Sequence, residues 1–119
     1  MGQALADVRL EAGGRVAWTS ISQADFARAG ATEDEAEGIV EVFRSIAGVE
    51  VFYILRESAE GHVRVSLRAK HDVDVNAMAR HFGGGGHLQA SGCVIRLSLP
   101  EAERQLRDVV LAHLDGAGR

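Results

Sequence analysis

The segment VEVFYILRESAEGHVRVSLRAK, residues 49–70, decides the centre of the fold. Its first run, from Val49 to Glu57, is nearly all apolar and predicts a central strand that is covered on both faces. After a turn at residues 59–61, the run from His62 to Lys70 alternates between apolar and polar side chains, which predicts a strand with one face in the core. The positions on its core face are Val63, Val65, Leu67 and Ala69. The positions on its opposite face are Arg64, Ser66, Arg68 and Lys70.

The residues before this segment predict a β-hairpin followed by two helices. Two runs with apolar residues at every second position flank a Gly-Gly pair and would form the hairpin strands: Leu5 to Leu10 and Arg15 to Ile21. The residues from Ser22 to Ala29 are compatible with a short helix. Thr32 and Glu35 fit a capping box at the start of a longer amphipathic helix, which Gly48 should end.

The residues after the segment predict two helices separated by a strand. Asp74 can cap a helix whose apolar residues recur at helical spacing. These residues are Val75, Met78, Ala79 and Phe82. A last strand is expected from about Ser91 to Leu97. Ser98 and Glu101 then form a capping box for the final helix, with Pro100 in its first turn.

The order of these elements predicts one α/β domain over residues 1–119, with a mixed sheet of about five strands flanked by helices. The composition agrees, since 46% of the 119 residues are hydrophobic and 25% are charged, as in a globular domain that can hold a core. The sequence has no apolar run of about 18 residues and no signal-peptide pattern, and its single cysteine, Cys93, excludes an internal disulfide. A cytoplasmic location is therefore the expectation.

The charge of the chain is unevenly distributed. The net charge of −4 argues against a nucleic-acid partner when the chain is taken as a whole. Residues 1–61 hold eleven acidic side chains against five Lys or Arg, whereas residues 62–96 hold five Lys or Arg against two acids. Four of the five histidines also lie in the second stretch. This stretch is either a solvated face with chance clustering or a local anion site on an acidic body.

Four consecutive glycines, Gly83 to Gly86, follow the helix capped by Asp74. Glycine loses the most backbone freedom on folding, so such a run needs a reason beyond stability. One interpretation is a helix C-cap followed by a flexible loop, but a C-cap needs only one glycine. The interpretation we favour is a loop whose exposed N–H groups receive a phosphate. If residues His87 to Ala90 formed a short helical turn, its N-terminal amides would add to that set of donors. The run is not a P-loop, because it lacks Gly-Lys-Ser/Thr and follows a helix.

The polar face of the alternating strand offers a counterpart to the glycines. Arg68 supplies a planar fork for two phosphate oxygens, Lys70 supplies a point charge, and the small Ser66 leaves room for a ligand. Taken alone, a solvated strand face explains these residues equally well. Together with the glycines they predict one phosphate-binding site.

Metal and nucleophile chemistry are weakly indicated. The pair His71-Asp72 is similar to the paired ligands of some phosphohydrolases, but such sites need further His and Asp residues that this chain does not supply as a set. His81 is expected on the outward side of its helix, and Cys93 is expected to be a small buried apolar side chain. No Ser/His/Asp arrangement or reactive cysteine setting is visible. We therefore assign no catalytic and no metal-binding residue in this chain.

The stretches VSLRAK and DVNAMARHFGGGGHLQASG together resemble the DHH-associated domain at the C-terminus of Asp-His-His phosphoesterases. That family has a Ser-x-Arg strand, a short helix, and then Gly-Gly-Gly-His-x-x-Ala-(Ala/Ser)-Gly. The matching residues are Ser66, Arg68, Gly84, Gly85, Gly86, His87, Ala90, Ser91 and Gly92. Within the family, the sequence looks most like the branch of oligoribonucleases, phosphoadenosine-phosphate phosphatases and cyclic-dinucleotide phosphodiesterases.

The resemblance implies a substrate-binding role for this chain. Two manganese ions and the catalytic carboxylates would belong to a separate N-terminal domain, and no Asp-His-His triplet occurs in this sequence. Arg68 and Lys70 would hold a substrate phosphate, Gly84 to Gly86 would admit the nucleotide, and His87 would contact the phosphate beside the metals. Gly83 also belongs to the expected binding set. Ser66 and Ala90 complete the expected binding set.

Two classes of function stay open at this point. The chain is either the nucleotide-binding half of a manganese-dependent phosphoesterase, which acts on short RNA, 3′-phosphonucleotides or cyclic dinucleotides, or a free-standing RNA-binding or nucleotide-binding regulatory module. In the first case the partner is the missing catalytic domain, and the full-length protein could form a homodimer. No membrane partner is expected.

Overall fold

The computed structural model describes residues 8–22, 45–70 and 73–117. Within them, six strands and two α-helices follow one another along the chain. The strands are β1 (Arg9–Glu11), β2 (Val16–Ile21), β3 (Val51–Glu57), β4 (Val63–Ala69), β5 (Gly85–His87) and β6 (Ala90–Ile95). The helices are α1 (Val75–Arg80) and α2 (Leu99–Ala117), and a 3₁₀ turn at Ala12–Gly14 joins β1 to β2. The predicted helices of residues 22–29 and 32–47 lie in or extend into segments outside the described residues.

One mixed sheet contains all six strands in the order β1-β2-β3-β4-β6-β5. Strands β2 and β3 pair in parallel, and every other neighbouring pair is antiparallel. The predicted α/β class and mixed sheet are confirmed. The sixth strand is β5, which the glycine run itself forms, and the last long strand is β6, which ends at Ile95 rather than near Leu97.

Strand β3 lies at the centre of the sheet and is buried on both faces, as its apolar sequence predicts. Val51, Tyr53 and Leu55 belong to a large apolar cluster with α1 and α2, whereas Phe52 and Ile54 belong to a smaller cluster on the opposite face. The apolar residues of β4 join the large cluster, so the alternation of β4 is confirmed.

Both helices begin where the sequence places their caps. The Asp74 side chain accepts a hydrogen bond of 3.0 Å from the Ala77 amide at the start of α1. Ser98 Oγ accepts a longer bond of 3.4 Å from the Glu101 amide at the start of α2. The buried residues of α1 and α2 pack on the sheet as part of the large cluster, and Phe82 packs against it from beyond the end of α1. Neither helix in the described part of the chain has the length and apolar character to span a membrane.

Candidate functional site

The strand register brings four of the sequence-predicted site residues, Ser66, Arg68, Ala90 and His87, onto one face of the sheet. Directly paired residues point to the same side of a sheet, so side chains form rows across it. One row runs from Arg68 on β4 through Ala90 on β6 to His87 on β5. In the next row Ser66 pairs with Gly92, and Gly85 of β5 lies beside Gly92, although a Cβ on Gly85 would face Asn76 of α1. We call this side of β4, β5 and β6 the open face, and the side that packs against α1 and α2 the covered face.

The open face has a floor of small residues between polar walls. Ala90 and Gly92 occupy the middle strand, and Arg68 and Ser66 stand on one side of them. His87 stands on the other side, and its side chain is exposed. A flat floor beside a guanidinium and an imidazole can accept a planar ring together with an anionic group.

The polar residues of β4 differ in what they bind. Arg68 Nη1 donates to the carbonyl oxygen of Leu67 at 3.0 Å, which holds the guanidinium beside its own strand. Ser66 Oγ accepts a hydrogen bond of 3.0 Å from Nη2 of Arg56 on the neighbouring strand. Lys70 Nζ donates to the Ile46 carbonyl at 2.9 Å. The lysine therefore lies just beyond the last residue of β4, at the end of its polar positions.

The glycine run has structural reasons that the sequence does not reveal. Gly83 has φ of +83°, the left-handed conformation that glycine adopts after a helix. A Cβ on Gly84 would lie 2.2 Å from the carbonyl oxygen of Gly92, and a Cβ on Gly86 would lie 2.6 Å from that of Ala90. Only glycine therefore allows β5 to approach β6 this closely. Three of the four glycines are required by the fold itself.

The amide groups of these glycines are also largely engaged within the chain. The Gly83 amide donates to Arg80, and the Gly84 amide donates to Ala79 at 2.9 Å. The Gly86 amide donates to Asn76 Oδ1 at 3.0 Å. Three of the four glycine N–H groups therefore already have partners within the chain. The side chains of the open face and its floor of small residues are better placed to bind a ligand.

Residues His87 to Ala90 do not form a helical turn, so the condition under which they would add amide donors is not met. His87 ends β5, Ala90 begins β6, and only Leu88 and Gln89 lie between them, as in a two-residue hairpin. The hairpin is preferred because the backbone of β5 can pair with β6. The hairpin is stabilised further by a hydrogen bond of 2.7 Å that Ser91 Oγ donates to the His87 carbonyl.

A pocket of about 640 Å³ adjoins this floor, and part of its lining lies outside the predicted site residues. Three arginines line it, namely Arg56, Arg64 and Arg96. Ser66, Gly84 and Phe82 also contribute to its walls. We call it the arginine pocket. The alternation of β4 already places Arg64 on the face of Ser66, but the contributions of Arg56 and Arg96 depend on strand register.

Other candidate residues have ordinary structural roles. Cys93 is buried in the large cluster, as expected, and burial raises the pKa of its thiol to about 11. His81 is exposed at the end of α1, and its ring forms a T-shaped pair with the ring of Phe82. Within residues 8–22, 45–70 and 73–117, no group of three or more His, Cys, Asp or Glu side chains could hold a metal ion.

Comparison with known proteins identifies the family. Residues 13–115 match the DHHA1 domain. The chain belongs to the DHHA1 domain family. The resemblance inferred from the Ser-x-Arg and glycine motifs is therefore confirmed.

The relatives of this DHHA1 domain are longer proteins. It is 34% identical over 119 residues to the bifunctional oligoribonuclease and PAP phosphatase NrnA of Thermus thermophilus, covering 99% of this chain and 35% of that protein. It is 32% identical over 73 residues to the cyclic-di-AMP phosphodiesterase GdpP of Geobacillus thermodenitrificans, covering 60% of this chain and 11% of that protein.

A solved structure agrees with the fold of the domain. An exopolyphosphatase-related protein from Bacteroides fragilis superimposes with a TM-score of 0.85 at 26% sequence identity, over 94% of this chain and 33% of that one. The chain thus spans about a third of the length of NrnA and of this structural relative.

Proposed function

We propose that this DHHA1 domain binds the phosphate-bearing part of a nucleotide substrate for a phosphoesterase whose catalytic residues lie in another domain of a longer protein. The observation that carries the proposal is the floor of Ala90 and Gly92 between Arg68 and His87 on the open face. Arg68 offers charge-assisted hydrogen bonds to phosphate, and the small floor residues leave space for the base or ribose. His87 would meet the phosphate at the outer strand.

The remaining members of the predicted set have supporting roles in this proposal. Ser66 lies one row away from Arg68 and would contact the ribose or a phosphate oxygen. Lys70, at the end of β4, would add a long-range positive charge. Gly83 to Gly86 would place β5 close against β6, so that His87 borders the floor rather than reaching it from a loop.

The substrate class follows the relatives of the domain. We propose short oligoribonucleotides, 3′-phosphonucleotides or cyclic dinucleotides as substrates of the longer protein, which would act in the cytoplasm and could form a homodimer. Manganese ions would supply the activated water and the charge for phosphodiester cleavage. They would be bound in the other domain, since the described residues of this chain include no group of metal ligands.

Binding of AMP to the 119-residue chain tests the proposal. Arg68→Gln removes charge-assisted hydrogen bonds worth about 1.5–3 kcal/mol, so AMP affinity should fall about 10-fold to 150-fold. Ala90→Leu fills the floor with a bulky side chain and should abolish binding while the fold survives. Arg104→Gln removes an exposed arginine from α2 and serves as the charge-matched control, with affinity expected to stay within about two-fold.

The titration is read by isothermal calorimetry and by amide shifts in NMR spectra. If Arg68→Gln and Ala90→Leu both bind AMP as the wild type does, the open face is not the nucleotide site. The isolated chain should also leave short RNA intact in the presence of manganese. Hydrolysis that persists through purification would contradict the proposal that the catalytic residues lie in another domain.

A further inference from the structure

The arginine pocket gathers positive charge by the geometry of three strands. Arg56 on β3 pairs directly with Arg64 on β4, and Arg64 pairs with Val94 on β6. Arg96 lies two residues beyond Val94 and lines the same pocket. Like charges directly opposite one another destabilise a sheet. Three guanidinium groups in one pocket form a positively charged patch that suits an anionic ligand.

The ion pairs of the domain support this interpretation. Arg15, Arg104 and Arg107 each pair with a glutamate in the described part of the chain. In contrast, Arg64 and Arg96 are exposed and make no ion pair with any of the described residues. The two guanidinium groups can therefore each direct a pair of N–H groups into the pocket, and such a planar pair matches two oxygens of a phosphate.

The pocket continues the proposed nucleotide site along β4. Ser66 borders both, because it lines the pocket and lies one row from Arg68. Successive residues of a strand advance about 3.4 Å, so Arg64 and Arg68 are about 14 Å apart along β4. One mononucleotide phosphate cannot engage both arginines, whereas neighbouring phosphates of an extended strand can. Phe82 gives the pocket an aromatic wall against which a base could pack.

We propose that the arginine pocket is a second phosphate subsite, which makes the domain prefer oligonucleotides with two or more phosphates over mononucleotides. The inference rests on the proposed function, since the first phosphate is assigned to the Arg68 row. The pocket also has the volume for such a ligand, because binding sites for small molecules are commonly about 300–1,000 Å³.

The test compares AMP with the 5′-phosphorylated diadenylate pApA on the 119-residue chain. The wild type should bind pApA about ten-fold or more tightly than AMP, the gain expected from one charge-assisted phosphate contact. The double variant Arg64→Gln/Arg96→Gln should lose this preference and leave the AMP affinity within about two-fold, because neither residue belongs to the first row. Both side chains are exposed, so thermal melting should show an intact fold.

A matched control separates a local subsite from a loss of net charge. Arg104→Gln/Arg107→Gln removes the same charge from α2 and should keep the preference for pApA. Salt supplies a second readout, since binding becomes less sensitive to salt when a charge contact with a phosphate is lost. The pocket variant should therefore have a shallower slope of log affinity against log salt for pApA than the control.

The outcomes distinguish the two proposals through Arg68→Gln. If Arg68→Gln weakens AMP binding and the pocket variant still prefers pApA, the second subsite is overturned and the proposed function stands. If Arg68→Gln changes the affinity for neither AMP nor pApA while the pocket variant weakens the binding of both, the arginine pocket is the first phosphate site. Both proposals are then overturned as stated.

Discussion

Strand β4 carries two rows of side chains with opposite properties. The row on the covered face is apolar and buried, and its members are Val63, Val65, Leu67 and Ala69, each at most 3% exposed. The row on the open face is polar and partly accessible, and its members in the strand are Arg64, Ser66 and Arg68. Because one backbone supports both rows, a substitution can alter stability or ligand binding separately, depending on the face it changes.

The largest effect is expected from Leu106→Ala, which tests the covered face. Leu106 on α2 is fully buried in the large cluster. Removing its side chain loses burial and leaves a cavity, so the free energy of unfolding should fall by about 2–5 kcal/mol in a urea titration. Nucleotide affinity of the folded variant should not change. A cost under about 1 kcal/mol would contradict the packing of α2 on the sheet.

The covered face is also the part of the structure that the sequence predicts best. The apolar run of β3, the alternation of β4 and the caps at Asp74 and Ser98 are signals carried by nearby residues, and each corresponds to an element of the structure. Such local patterns are reliable because burial on one face of a strand or helix repeats with its period.

The open face is harder to predict because it depends on register and close approach. Strand β5 has two glycines in three residues, so it has no apolar periodicity and low strand propensity. The meeting of Arg56, Arg64 and Arg96 requires the alignment of three strands, which no single window of sequence encodes. The motif Ser66-x-Arg68 with the glycines predicts the proposed site, whereas the geometry of the open face depends on tertiary pairing.

The second prediction compares two neighbouring glycines of β5. A Cβ on Gly86 would meet the backbone of Ala90 and Ser91, and its φ of +154° disfavours other residues, so Gly86→Ala should cost about 1–3 kcal/mol. A Cβ on Gly85 would lie 3.3 Å from Asn76 Oδ1, a side-chain atom that can move. Gly85→Ala should therefore stay within about 1 kcal/mol of the wild type. Equal costs in thermal melting would contradict this packing of β5 on β6.

The third prediction concerns like charges on the open face. Arg64→Gln relieves the direct pairing of Arg64 with Arg56, so it should stabilise the fold by about 0.2–1 kcal/mol at low salt. Arg104→Gln on α2 removes an ion pair with Glu101 and should destabilise the fold by about 0.2–0.5 kcal/mol. Both differences should shrink in about 1 M salt, where the screening length is near 3 Å. Destabilisation by Arg64→Gln would mean that the open face contributes to stability.

The smallest effect at neutral pH is expected from Tyr53→Phe, at the centre of the covered face. Tyr53 is fully buried and stacked on Trp18, and its hydroxyl has no hydrogen-bond partner in the described part of the chain. Removing an unsatisfied hydroxyl should change the free energy of unfolding by less than about 1 kcal/mol, with stabilisation the expected direction. Measurable destabilisation would indicate that the hydroxyl has a bonding partner in solution.

Alkaline pH should enlarge the difference between Tyr53→Phe and the wild type. Burial raises the pKa of Tyr53 in the folded state above its ordinary value near 10. The unfolded chain therefore releases this proton first, and wild-type stability should fall as pH rises above about 10. Tyr53→Phe should lose less stability over this range. Some loss of stability should remain in this variant, because the raised pKa of Cys93 acts in the same direction.

Because Tyr53 is the only tyrosine, tyrosinate absorbance reports its ionisation directly. Ionisation near pH 10 in the folded protein would contradict its burial, and parallel stability curves for the two proteins would show that the buried hydroxyl has no part in alkaline unfolding.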